Sequence, residues 1–221
     1  MDLYFTRHGR TEWNKELRFQ GSNGDSPLLP ESYEEITLLG QRIKEIPFQK
    51  IYTSPQLRAK TTAELINQEL ANPVEIIETD ALKEMNLGDL EGQMIPEMQK
   101  NYPQQLDCLR AFPEKYDPSA YKGETFSQVV RRVENFVVNV IAETPVDAPI
   151  LFVSHGATLT AAINAMAGEK LADLRKRGGI NNNSLSQLVT ENKQLPFHLV
   201  TYNDVSFLKE ERVHASGDEL I

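Results

Sequence analysis

Cysteine is almost missing from this chain: Cys108 stands alone among 221 residues. That excludes an intrachain disulfide and any cluster of thiolate metal ligands. With no His or run of cations near it in sequence to favour a thiolate, Cys108 reads as a small buried or half-buried filler. Long hydrophobic runs are missing too. No stretch approaches the length that spans a bilayer. The opening Met1-Asp2-Leu3-Tyr4-Phe5-Thr6-Arg7 has neither the basic start nor the apolar length of a secretory leader, so a cytoplasmic location is expected. Positive charge is in deficit: 23 Lys and Arg against 32 Asp and Glu leave a formal charge of -9. This balance argues against nucleic acid or an anionic membrane as a partner. An anionic small molecule would have to be held by a local arginine cluster, against the field of the whole molecule. No repeat, linker or low-complexity tract divides the chain. A single domain over residues 1–221 is expected, with a charged, frayed tail from about 209. Nothing in the pattern speaks to oligomeric state.

What is present is a pair of short apolar runs, each ended by His-Gly. Leu3-Tyr4-Phe5-Thr6 and Ile150-Leu151-Phe152-Val153 read as buried parallel strands, because both are continuously apolar and rich in branched or aromatic residues. Arg7-His8-Gly9 closes the first and Ser154-His155-Gly156 the second. An α/β sheet binds ligands outside the carboxyl ends of its strands, so two central strands would bring both imidazoles to one pocket. Between them the periodicity predicts an irregular loop over 9–30, a helix over 33–46 and a strand over 49–53. A helix from Ser54-Pro55 to about 71 and a strand over 74–78 follow. Residues 92–123 are broken by four prolines and read as an inserted cap. Residues 124–143 carry a wide apolar helical face. A helix over 159–167 and a late antiparallel pair, 184–190 and 197–202, complete the pattern. His198 and His214 have no motif around them and read as structural or solvated.

Arg7-His8-Gly9-Arg10-Thr11-Glu12-Trp13-Asn14 resembles the signature of the histidine phosphatase superfamily, which holds cofactor-dependent phosphoglycerate mutases and many phosphatases. Further segments follow in that family's order. They are Arg18-Phe19-Gln20-Gly21, Ser54-Pro55-Gln56-Leu57-Arg58-Ala59, Glu84 with Gly88 and Glu91-Gly92, and Ser154-His155-Gly156. The resemblance implies a three-layer α/β/α fold with a mainly parallel sheet and a small helical cap. It also implies that His8 is a nucleophile, His155 a protonated or hydrogen-bonding partner, and Glu84 the proton donor. Arg7 and Arg58 would clamp the phosphoryl oxygens, with Asn14, Gln20, Gly21 and the Gly156 N–H around them. No cofactor and no metal is implied. The chemistry is coherent without the family. A transferring phosphoryl group needs fixed positive donors and an in-line nucleophile. A guanidinium fork stays charged and matches phosphate oxygens, and an imidazole is a competent nucleophile near neutral pH.

Phosphomonoester hydrolysis is the leading expectation, with phosphoglycerate mutase as the rival. Mutases of this family typically carry a tyrosine three positions after the acid and a lysine farther on, where this chain has Leu87 and Ile95. They also carry paired arginines in the insertion, where this chain has only Arg110. A hydrolytic metal site built from His8, His155, Glu84 and an aspartate is a different class, opposed by two arginines that would repel a divalent ion. A non-catalytic phospholigand-binding module is the third. The alcohol half of the substrate would be selected by Arg10, by the loop Ser22-Asn23-Gly24-Asp25, and by the cap. There Met94, Met98, Phe112 and Tyr116 either face inward or pack the cap onto the body. Trp13 reads as packing the loop, and Glu91 is open between ligand and solvent.

Overall fold

The structure, a computed structural model, describes residues 1–208; His214 and the tail expected to fray lie outside the described residues. Six strands form one sheet: β1 (Asp2–Arg7), β2 (Lys50–Thr53), β3 (Glu75–Glu78), β4 (Ile150–Ser154), β5 (Leu185–Val189) and β6 (His198–Asp204), in the order β3-β2-β4-β1-β5-β6. β3, β2, β4 and β1 run parallel, while β5 pairs antiparallel with β1 and β6 with β5. The fold is α/β with a mainly parallel sheet, as expected, and the late antiparallel pair widens that sheet.

The central strand shows why layers form on both faces. All five residues of β4 are buried, and successive side chains point to opposite faces. Ile150 and Phe152 join a cluster with Val133, Val137, Leu159 and Ile163, which come from α6 (Phe126–Glu143) and α7 (Gly156–Met166). Leu151 and Val153 join another with Ile36, Leu39, Ala63 and Ile66, from α2 (Pro30–Arg42) and α3 (Leu57–Glu69). A third cluster, including Met85, Leu87, Leu106, Tyr121 and Phe126, binds the segment beyond Gly92 to the body. That segment holds two short helices, α4 (Ile95–Asn101) and α5 (Pro103–Ala111), each started by a proline at an early position.

Several boundaries differ from the sequence-based expectation: α6 starts at Phe126 and not 124, and α7 at Gly156 and not 159. Residues 9–30 are not wholly irregular, because Glu12–Glu16 form the short helix α1, closed by a reciprocal capping box between Thr11 and Asn14. α3 begins at Leu57 instead of Ser54-Pro55, with Gln56 as an extended N-cap. α2 runs from Pro30 to Arg42, with Pro30 taking the first-turn position where its missing N–H costs nothing. No helix among the described residues is long and apolar enough to cross a membrane.

Candidate active site

Parallel pairing of β1 with β4 sets Arg7 opposite Ser154, and the His8 N–H donates to the Ser154 carbonyl at 3.0 Å. The next residues therefore emerge side by side, and the ring centroids of His8 and His155 lie 5.1 Å apart. Both rings are buried. The Arg58 Nε–H can only donate, and it meets His8 Nε2 at 3.2 Å, so Nε2 carries the lone pair. The proton then sits on Nδ1, which donates to the Gly9 carbonyl at 2.7 Å. Burial, then Arg58 and Arg7, hold His8 well below its ordinary value. His155 is the N-cap of α7, and neither ring nitrogen has a hydrogen-bond partner among the described residues. Burial, then Arg58 and His8, press it down as well. The pocket thus presents two neutral imidazoles beside two guanidiniums.

Arg58 is 1% exposed and is held by four acceptors, one of them on Nη2, out of five N–H donors. Its Nη1 donates to the Gly24 carbonyl at 2.8 Å and to Asp25 Oδ1 at 3.0 Å, and Nη2 donates to the Gly21 carbonyl at 3.2 Å. Asp25 Oδ2 accepts the Leu57 N–H at 2.6 Å. One carboxylate therefore neutralises the buried cation and caps the start of α3, offsetting a positive charge that the helix dipole disfavours. Asp25 thus points inward, away from the substrate-selecting task expected of its loop. Arg7 donates from Nη1 to the Ile180 carbonyl at 2.8 Å.

Glu84 arrives from the loop after β3 and lies over the start of α7. Oε1 accepts the Thr158 N–H at 2.9 Å, the Thr158 hydroxyl at 2.8 Å and the Met85 N–H at 2.8 Å, while among the described residues Oε2 accepts only the Ala157 N–H at 3.2 Å. Oε2 is the oxygen with acceptor capacity left. Gln56, part of the Ser54–Ala59 segment but given no role from the sequence, ties this loop to the phosphate-side loop. Its Oε1 accepts the Glu84 N–H at 3.0 Å, and its Nε2 donates to the Gly21 carbonyl at 2.8 Å. Glu91 is structural: its Oε2 accepts the N–H groups of Asn23 at 2.8 Å and Gly24 at 2.7 Å.

One pocket contains Arg7, His8, Asn14, Gln20, Glu84 and Ala157, and His155 touches its His8 wall. Asn14 spends Oδ1 on the Thr11 N–H and hydroxyl, which leaves Nδ2 for the pocket. Gln20 lines the wall with its amide bonded to Thr11 and Ser26. Gly21 sits where an added Cβ would stand 2.9 Å from the Met85 carbonyl and against the Glu91 carboxylate. Gly156 opens α7 beneath these groups. The upper wall comes from Trp13, Leu17, Arg18, Leu87, Ile95 and Leu109, joined by Arg175. Trp13 both packs against Gly24 and faces the pocket. Arg10 does not line it. Nor do Met94, Met98, Phe112 or Tyr116: Tyr116 is buried in the cap cluster and Phe112 is 46% exposed. The cap's inward residues are Ile95 and Leu109.

Several positioning groups escaped the sequence reading. Asn182 Nδ2 donates to the His8 carbonyl at 2.8 Å, and the Asn183 N–H donates to the Arg7 carbonyl at 3.1 Å. The only trace of this in the sequence was the polar run Asn181-Asn182-Asn183 just ahead of β5. Among the described residues no three of His, Cys, Asp and Glu converge as a metal-binding group.

A family model described as Histidine phosphatase superfamily (branch 1) matches residues 3–205. A Bacillus subtilis protein named uncharacterized phosphatase PhoE is 33% identical over 162 residues, 73% of this chain and 75% of that one. An Escherichia coli protein named probable phosphoglycerate mutase GpmB is 32% identical over 171 residues, 76% of this chain and 75% of that one. Bacillus stearothermophilus YhfR superposes with a TM-score of 0.86 at 30% identity, covering 94% of this chain and 99% of that one.

Proposed function

Because the chain belongs to the histidine phosphatase superfamily, we propose that it hydrolyses small phosphomonoesters, without a metal ion, through a phosphohistidine formed on Nε2 of His8. The observation that carries this is the tautomer. The Gly9 carbonyl accepts a hydrogen bond from Nδ1–H, so the lone pair lies on Nε2, beside Arg58. Nucleophilic nitrogen and phosphate-binding cation are thereby adjacent.

In the first stage the Nε2 lone pair attacks phosphorus in line and the bond to the ester oxygen breaks. Arg7, Arg58 and the Asn14 amide hold the equatorial oxygens, and the departing alkoxide takes a proton from Glu84 Oε2. His155 acts as a hydrogen-bonding partner whose unspent ring nitrogens meet the phosphoryl group. A phosphate dianion beside it favours its protonated form. In the second stage Glu84 removes a proton from water, the water oxygen attacks phosphorus, and the P–N bond breaks to return the lone pair to Nε2. Gln20, Gly21 and the Gly156 N–H shape the phosphate side. The two guanidiniums support metal independence, since they stabilise a phosphate and repel a divalent ion. Residues 1–221 act as one functional unit, with the cap over 92–123.

Phosphoglycerate mutase remains the alternative, since one relative bears that name. Leu87 and Ile95, both pocket-lining, put apolar walls where the family's mutases place a tyrosine and a lysine. This favours transfer to water. Rapid-quench labelling with a phosphoryl-labelled aryl ester should trap an acid-labile, alkali-stable adduct on His8. His8→Ala should lower kcat/KM by at least about 10⁴-fold; turnover at the wild-type rate without that adduct would overturn the mechanism.

A further inference from the structure

Between a single 3-10 turn at Asp80–Leu82 and another at Gly88–Leu90, the segment that carries Glu84 belongs to no helix or strand. Its backbone is held by side chains instead: four consecutive carbonyls, from Ala81 to Glu84, each accept a hydrogen bond from the body. The Ser154 hydroxyl donates to Leu82 at 2.7 Å and the Thr158 hydroxyl to Lys83 at 2.9 Å. Both ends of the run fall to one residue of α6. Arg132 Nη1 donates to the Ala81 carbonyl at 2.8 Å, and its Nη2 to the Glu84 carbonyl at 3.4 Å.

Arg132 is itself aimed by Glu124. Its Nε and Nη2 donate to the two carboxylate oxygens at 2.8 and 2.9 Å, a side-on bidentate pair. Glu124 is in turn joined to the far side of the acid: its N–H donates to the Asn86 carbonyl at 2.7 Å, and its Oε2 accepts the Asn86 N–H at 3.3 Å. Arg132 and Glu124 thus enclose residues 81–86 from both ends. Neither lines the pocket that holds His8, so neither is placed to touch the ester. The tip of Glu84 rests on Thr158 and Met85 through Oε1, and where Oε2 then points depends on where the Glu84 backbone stands. A planar fork that spans two carbonyls and a carboxylate does what the single ammonium of a lysine cannot.

We propose that Arg132 is a positioning residue for proton transfer: its fork fixes the backbone under Glu84 so that Oε2 meets the leaving oxygen, without contributing to the attack of His8 on phosphorus. This rests on the phosphomonoesterase reading with Glu84 as proton donor. Misplacing a reacting group by about 1 Å costs on the order of 100-fold. Here that cost falls only on alcohols that need a proton in order to leave.

The test compares kcat/KM for phenyl phosphate, whose leaving phenol has a pKa of about 10, with kcat/KM for 2,4-dinitrophenyl phosphate, whose anion departs without a proton. Glu84→Gln sets the scale, and its loss on the phenyl ester should exceed that on the dinitrophenyl ester by about 100-fold. In Arg132→Met the excess should be about tenfold. Arg132→Lys, which keeps the charge but not the fork, should fall between Arg132→Met and the wild-type protein. Adding Arg132→Met to Glu84→Gln should change the ratio of the two esters no further, because the arginine acts through that carboxyl. Each ratio is taken within one variant, so a lower folded fraction does not disturb it. Equal losses on both esters in Arg132→Met and Arg132→Lys, or a selective loss that persists in the Glu84→Gln background, would overturn the positioning role and leave the hydrolase reading standing. Equal losses in Glu84→Gln, or no hydrolysis of either ester by the wild-type protein, would overturn the proposed mechanism and this inference with it.

Discussion

Arg58 and the two histidines share one buried volume, and their charges are interdependent. A guanidinium held away from water needs an anion, and Asp25 supplies it at 3.0 Å. The imidazoles have no such partner, so the folded chain keeps both neutral. In the unfolded chain each titrates at its ordinary value near 6.5. The unfolded state therefore binds more protons below that value, and folding stability is complete above pH 6.5 and declines as pH falls below it. Two such groups contribute a slope of about 3 kcal/mol per pH unit at most. Urea denaturation from pH 7.5 down to 5.5 should show stability falling in that direction, with a shallower fall in His155→Gln. An unchanged slope in that variant would show that His155 is not held neutral.

Secondary-structure elements matter here for what their ends deliver. β1 and β4 each hand a histidine to the same edge, and α7 begins directly after His155, so Glu84 can settle on its first free N–H groups. The start of α3 places Arg58, and the loop over 20–25 closes around that arginine through three carbonyl and carboxylate contacts. Gly21 is the tight point of this loop. Its φ is not unusual; the constraint is space, since a methyl group there meets Glu91 and the Met85 carbonyl. Gly21→Ala should cost about 1–3 kcal/mol in thermal or urea unfolding. It should also lower kcat/KM by roughly 100-fold through displacement of Arg58. An unaltered kcat/KM would mean that the loop tolerates the shift without moving the cation.

Taken as a whole, the molecule is a sheet sandwiched between helical layers, with the site on the rim where the middle strands end. The rim is held still by what lies beneath it. Phe152 of β4 stacks on Phe5 of β1 at 4.9 Å and on Tyr52 of β2 at 5.7 Å, and meets the Phe136 edge from α6 at 6.4 Å. Phe152→Ala would open a cavity joining three strands and a helix. It should cost about 3–5 kcal/mol of stability, measured by chemical denaturation. Whole-molecule charge bears on the proposed function as well: in a chain of net charge -9, an anionic ester would be admitted only through the local field of the rim arginines.

Much of this was legible in the amino-acid order. The apolar runs ending in His8 and His155 and the helical face within 124–143 are local patterns, and hydrophobic periodicity reads local patterns well; Arg7, Arg58 and Glu84 were singled out through the resemblance of their motifs to a family. Even α1 left its trace in the Thr11–Asn14 capping box, though a polar glycine-bearing context hid it. What lay beyond reach depended on residues distant in the chain meeting through space. Asp25 on Arg58, Gln56 on Glu84 and Arg175 across from the cap have no sequence periodicity, because each contact is set by how separate loops pack on one rim. The inward residues of the cap were likewise decided by packing: Met94, Met98, Phe112 and Tyr116 are as apolar as Ile95 and Leu109, and only the docking of α4 and α5 on the body selects which of them face the ligand.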